Sequence, residues 1–168
     1  MPRIVSAPMD LVIATHRRID VRFAGINLTE ALPPSRYVPA GSAGMELNLH
    51  AVTSDETRRL DSQFYTALET WGANAEKPGA DRSLPAPQMP ANAVFEPIKA
   101  NITDDAGTDY TLVAGRVAGT GTDWDATWIY SPAPPEQAKQ LVLEFTVSGT
   151  PTGHRCVIDL EANDDHGS

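Results

Sequence analysis

The feature that most constrains this chain is an apolar alternation with period two. In Leu141-Val142-Leu143-Glu144-Phe145-Thr146-Val147, the residues Leu141, Leu143, Phe145 and Val147 face one way. Met45, Leu47 and Leu49 share a face in the same manner, as do Trp124, Ala126, Trp128 and Tyr130. A strand places successive side chains on opposite faces, so this pattern describes half-buried antiparallel strands and excludes a helical bundle. With these, segments of the kind fall at about 11–19, 21–28, 45–50, 94–103, 109–118, 122–131, 140–148 and 154–161, with Gly25 read as a bulge or bend. Gly 12 and Pro 14 exceed average usage and punctuate these runs, as in Asp104-Asp105-Ala106-Gly107 and Gly149-Thr150-Pro151-Thr152-Gly153. Short strands at regular spacing in meander order predict a two-layer antiparallel sandwich with aromatic residues in its core.

One segment breaks the period. Leu60, Phe64, Leu68 and Trp71 recur at helical spacing behind Ser54 and Asp55, which suit an N-cap, and Gly72 suits a C-terminal stop. The spacing predicts one amphipathic helix over about 55–71, packed on the sheet. From Ala73 to Pro90 the chain carries Pro78, Gly79, Pro85, Pro87 and Pro90 with no periodicity, a long Pro-rich loop expected to be mobile. Residues 162–168 are polar and read as a flexible acidic tail, leaving 1–161 as a single domain.

Composition narrows the function classes. The net charge is −9, from 22 acidic and 13 basic residues, which argues against a nucleic-acid or anionic-membrane surface. The charge is uneven. Residues 1–60 carry seven arginines against six acids, and residues 61–168 carry six bases against sixteen acids. Cys156 is the only cysteine, so no intrachain disulfide forms, and alternation sets it beside Ile158 and Leu160 as a small buried hydrophobe. The apolar run Leu11-Val12-Ile13-Ala14 is far short of a membrane span, and the opening residues lack a signal-peptide core. These readings place the protein in the cytoplasm.

The chemistry-bearing residues also have plainer roles open to them. Ala40-Gly41-Ser42-Ala43-Gly44 approximates a nucleophile elbow, but the approach is proline-rich and the exit is a strand, so Ser42 lacks the strand–turn–helix context. Gly115-Arg116-Val117-Ala118-Gly119-Thr120-Gly121 lacks the Lys-Ser/Thr of a phosphate loop and opens no helix, which leaves a hairpin turn. Asp104, Asp105 and Asp109 gather at one turn and are the calcium candidates, with turn geometry as their plain role. Asp123 and Asp125 fall at the other end of the intervening strand. The histidines His16, His50, His154 and His166 show no metal-ligand spacing. Trp71 and Trp124 are the candidate exposed aromatics for binding a glycan or partner, whereas Trp128 reads as core. No cofactor is expected.

The stretch from Asp104-Asp105-Ala106-Gly107-Thr108-Asp109-Tyr110 through Trp124, Trp128 and Tyr130-Ser131-Pro132-Ala133-Pro134-Pro135 to Leu141-Val142-Leu143 resembles actinobacterial β-sandwich proteins of unknown function. The strand Val157-Ile158-Asp159-Leu160 and the opening Ile19-Asp20-Val21-Arg22-Phe23-Ala24-Gly25 extend the resemblance. It implies an immunoglobulin-like fold and supplies no catalytic residues. With no convergent catalytic set, the expected function is a non-enzymatic module that binds another protein or itself through a sheet face or edge. The alternative is a sandwich that binds a small ligand, a glycan or calcium, and a hydrolase built on Ser42 or a histidine is the third reading.

Overall fold

In the computed structural model, described here for residues 3–8, 11–16, 18–30, 32, 42–79, 85–120 and 123–161, the alternating segments form nine strands. They are β1 (Arg3–Ser6), β2 (Val12–His16), β3 (Ile19–Thr29), β4 (Gly44–Ala51), β5 (Ile98–Asp104), β6 (Thr111–Thr120), β7 (Asp123–Ser131), β8 (Gln140–Val147) and β9 (Thr150–Glu161). Two helices, α1 (Asp55–Ala75) and α2 (Pro90–Phe95), lie between β4 and β5. The strands make two antiparallel sheets, β1-β9-β8-β5 and β2-β3-β4-β7-β6, which form the expected β-sandwich. The expected tail at 162–168 lies outside the described residues, as does the middle of the Pro-rich segment.

The strand order departs from a meander. β5 and β6 are consecutive in the chain but belong to different sheets, and so do β7 and β8. The turn at Asp104–Gly107 therefore crosses between layers instead of closing a hairpin. Asp105 Oδ1 accepts the Lys139 N–H at 2.9 Å, which ties this crossing to the one that follows β7. Alternation reports which face a residue takes, but it carries no information on the neighbour across the ladder.

One apolar core fills the space between the sheets. Met45, Leu47 and Leu49 from β4 and Trp124, Ala126, Trp128 and Tyr130 from β7 meet Leu141, Leu143 and Phe145 from β8 and Ile158 from β9, all buried. Phe23 and Phe145 approach from opposite sheets with ring centroids 6.0 Å apart. Cys156 is buried beside this layer, and burial pushes its thiol up to about 11. Gly25 stands in the bulge between Phe23 and Ile26 with φ 102°, as its position within a strand implied.

Three local expectations need correcting. α1 continues through Gly72 to Ala75. Gly72 is followed by the helix-compatible Ala73, Asn74 and Ala75, and the chain departs only where Pro78 and Gly79 follow. Its start is as expected, with Ser54 and Thr57 forming a reciprocal capping box. The segment read as a strand from 94 begins instead as α2. Pro90 occupies the first helical turn, where its missing N–H costs nothing, and Ala91, Val94 and Phe95 are buried at helical spacing. The last strand starts at Thr150 because Ser148 and Gly149 both take positive φ, 51° and 82°, and make a two-residue hairpin turn. The Pro151-to-Gly153 stretch then lies within β9, where residues 152–154 bulge opposite Phe145.

Among the described residues no helix is long and apolar enough to cross a membrane.

Candidate interaction interface

Each sheet ends in two edge strands, and three of the four edges are short, bulged or covered. β1 has four residues and a register shift between Ile4 and Ser6. β2 has five residues and a shift between Val12 and Ala14. β5 is covered from the opposite sheet. The Tyr130 hydroxyl accepts the Ala100 N–H at 3.3 Å and donates to the Ala100 carbonyl at 3.2 Å, so a side chain satisfies the backbone of that edge. Lys99, next to Ala100, lays its ammonium 3.9 Å from the Trp128 ring centroid and donates to the Glu96 carbonyl. Burial lowers the Lys99 pKa, while Glu96 draws it partly back.

β6 is different. It runs ten residues, Thr111–Thr120, and among the described residues it pairs with β7 alone. Tyr130 on β7 stands over Ala100 on β5, so β6 overhangs the four-stranded sheet. α2 packs against β6 and β7 there, with Ala91, Val94 and Phe95 buried. Leu112, Ala114, Gly115, Arg116 and Ala118 are exposed. The strand contains no proline and a single charge, Arg116, and its one irregularity is the register shift between Leu112 and Ala114.

The small residues of β6 follow from the tryptophans beside it. Gly115 lies opposite Trp128 and Gly119 opposite Trp124. A Cβ on Gly115 would run into Trp128 Cε3, and one on Gly119 would come within 2.9 Å of Trp124 Cδ1. Each indole covers a glycine of the edge strand, an arrangement that protects backbone lacking a side chain. The glycine-rich run is thus a strand packed under tryptophans. The hairpin turn expected there lies in part outside the described residues, at 121–122.

The outward face of the five-stranded sheet carries a polar row across this edge. Arg22, His50, Asp125 and Ala118 are register neighbours on β3, β4, β7 and β6. His50 Nδ1 lies 2.7 Å from Asp125 Oδ1. One row along, the Thr127 hydroxyl donates to Asn48 Oδ1 at 3.0 Å, with Arg116 next to Thr127 on β6. Arg116 is exposed, and no carboxylate on its own chain is among its ion-pair partners in the described residues.

Of the two candidate aromatics, one is buried and one is exposed. Trp124, expected as an exposed binding aromatic, is fully buried, and its Nε1 donates to Asp61 Oδ2 on α1 at 3.1 Å. This correction has a simple cause: Trp124 belongs to the same inward alternation as Trp128. Trp71 is partly exposed on the last turns of α1. α1 rests on the core through Leu60 and through the buried Thr57 and Asp61, and most of its remaining surface faces solvent. Asp61 Oδ1 is buried without a protein hydrogen-bond partner, a feature no sequence pattern signalled.

Asp104 serves the turn after β5. Its Oδ1 accepts the Ala106 and Thr108 N–H groups at 2.9 and 3.0 Å, and its Oδ2 accepts the Tyr110 hydroxyl at 2.7 Å. Burial raises the Asp104 pKa, but these hydrogen bonds outweigh it and hold the carboxyl below its ordinary range. Burial and the same carboxylate push the Tyr110 phenol up. Asp105 is engaged with Lys139, and Asp109 is exposed. Asp125 sits at the opposite end of β6 from this turn, as the sequence implied.

Ser42 leads directly into β4, and its carbonyl accepts the Leu32 N–H at 2.7 Å. His50 faces outward on β4 and His154 is exposed on β9, while His166 and the side chain of His16 lie outside the description. Among the described residues no three His, Cys, Asp or Glu side chains gather as a metal-ligand set.

Comparison with known protein families, with functionally characterised proteins and with solved structures finds no match.

Proposed function

We propose that this protein is a non-enzymatic interaction module that takes an extended strand of another polypeptide, or of a second copy of itself, along the edge of β6. The observation that carries this reading is the asymmetry of the edges. Soluble proteins blunt exposed edges with shortness, bulges, prolines, charges or cover, because unpaired N–H and C=O groups template further pairing. β1 and β2 are short and bulged, and β5 is sealed by Tyr130 and Lys99. β6 retains length, small side chains and one charge. Strand addition draws affinity from main-chain hydrogen bonds and selectivity from alternate side chains, and an exposed ladder of this kind suits it.

A photo-crosslinking amino acid at Ala118, on the exposed face of β6, tests the reading against a control at Glu144, on the outer face of β8. The expected outcome is a polypeptide adduct from position 118 and none from 144, with the attached segment identified by mass spectrometry. Absence of any adduct from position 118, in the purified protein and in an extract of its source cells, would overturn it.

A further inference from the structure

The occupant of the β6 edge is, we infer, a second copy of β6 itself, paired antiparallel about a twofold axis at Val117 and locked by Arg116 of each copy against Asp125 of the other. The inference rests on the reading above and adds the partner and the register. An isologous contact requires only one self-complementary surface, and twofold dimers are the commonest closed assembly.

The register follows from parity, charge and length, since centring on Ala118 would also bring Arg116 toward a carboxylate row, that of Thr120 and Asp123, but would pair only 116–120. Ala114, Arg116 and Ala118 take the outward face, opposite Ile129, Thr127 and Asp125 of β7, and Gly115, Val117 and Gly119 take the inward face. A twofold strand pair that keeps both faces continuous must place even residues opposite even and odd opposite odd. Centring on Arg116 would set two guanidinium groups directly opposite each other, which is repulsive. Centring on Gly115 would set Arg116 opposite the second copy's Ala114, whose row neighbour on β7 is the uncharged Ile129.

Centring on Val117 sets Arg116 opposite the second copy's Ala118, whose row neighbour is Asp125. Two strand spacings, about 10 Å between backbones, then separate arginine from carboxylate, and the intervening alanine leaves the path clear. An extended arginine and an aspartate together span that distance. Asp125 keeps Oδ2 for this contact while its Oδ1 remains with His50. The inward face agrees. Gly115 meets the second copy's Gly119, and Val117 meets its own counterpart, extending the half-buried apolar face. The paired segment, 114–120, lies beyond the bulge at Leu112 and Ala114, where the regular ladder begins.

A seven-residue strand pair buries less than a standard permanent interface, so dissociation in the micromolar range is expected. Sedimentation of the full chain over a concentration series tests the proposal. The expected result is a reversible monomer–dimer equilibrium that weakens with salt. Arg116→Asp and Asp125→Arg should each weaken dimerisation by about tenfold or more, and the double variant should recover it to within a few-fold. Arg116 is exposed, so Arg116→Asp leaves folding intact, and circular dichroism checks this for each variant. A strict monomer at every concentration would overturn the self-pairing, and so would a dimer indifferent to the charge exchange. Adducts from position 118 solely with other polypeptides would overturn it too, while leaving strand addition at β6 standing. Absence of any adduct there would remove both.

Discussion

β5 and β6 leave their sheets on the same flank of the sandwich, yet one edge is sealed and the other is left open. β5 lies under β7 and receives Tyr130 onto Ala100, Lys99 across Trp128, and α2 just before it in sequence. β6 projects one strand beyond β7, and α2 and two indoles hold it from the inner side. The contrast is that the inner face of β6 is well supported while its hydrogen-bonding flank is exposed.

The most severe way to break this contrast is to remove the wedge. Phe95 is fully buried on α2, and Phe95→Ala should destabilise the fold by about 3–5 kcal/mol. Chemical denaturation would measure the loss, and hydrogen exchange should show β6 amides deprotected more than those of β8. A loss below about 1 kcal/mol would mean that α2 does not support the overhang.

A milder change converts the sealed edge toward the open one. Tyr130→Phe removes the hydroxyl that serves both backbone groups of Ala100 and should cost about 1–3 kcal/mol. The specific readout is the Ala100 amide, whose exchange should accelerate relative to its strand neighbours. Unchanged protection would show that Tyr130 is a packing residue and not an edge cap.

The smallest effect concerns the crossing that joins the two strands. Asp104 is held below its ordinary value of 3.8, so its contribution is complete above that value and disappears as pH falls through its folded-state value. Asp104→Asn should lower the melting temperature by a few degrees at pH 7. The gap from the parent should narrow progressively as pH falls below 3.8. A gap that stays constant from pH 7 through that range would assign the effect to geometry instead of charge.

Much of the layer assignment was legible from residue order. Trp124, Ala126, Trp128 and Tyr130 announce one inward face, and all four are buried. The same rule placed Cys156 with Ile158 and Leu160. What escaped were relations between residues distant in sequence. His50 and Asp125 are 75 residues apart and meet because β4 and β7 are neighbours, a pairing that alternation does not encode. Alternation turns Trp124 inward, but the Asp61 carboxylate that accepts its indole N–H depends on where α1 is seated. α2 escaped because six residues after a proline-rich run are too few for a helical period to show. The open edge itself is a property of strand order and is invisible until both sheets are assembled.

The same strand order governs how the chain comes together as it is made. Among the described residues β1 pairs with β9 alone, and Arg3 joins Glu161 across a separation of 158 residues. Translation at about 5–20 residues per second delays that meeting by roughly 8 to 30 seconds. During the wait β2, β3 and β4 can assemble locally, but β1 and β5, the strands of the opposing sheet made before β8, have no ladder partner there until β8 and β9 arrive. The apolar face of Phe23, Met45, Leu47 and Leu49 thus waits for a complete opposing layer, and chaperone dependence is expected to fall on that interval more than on the finished protein.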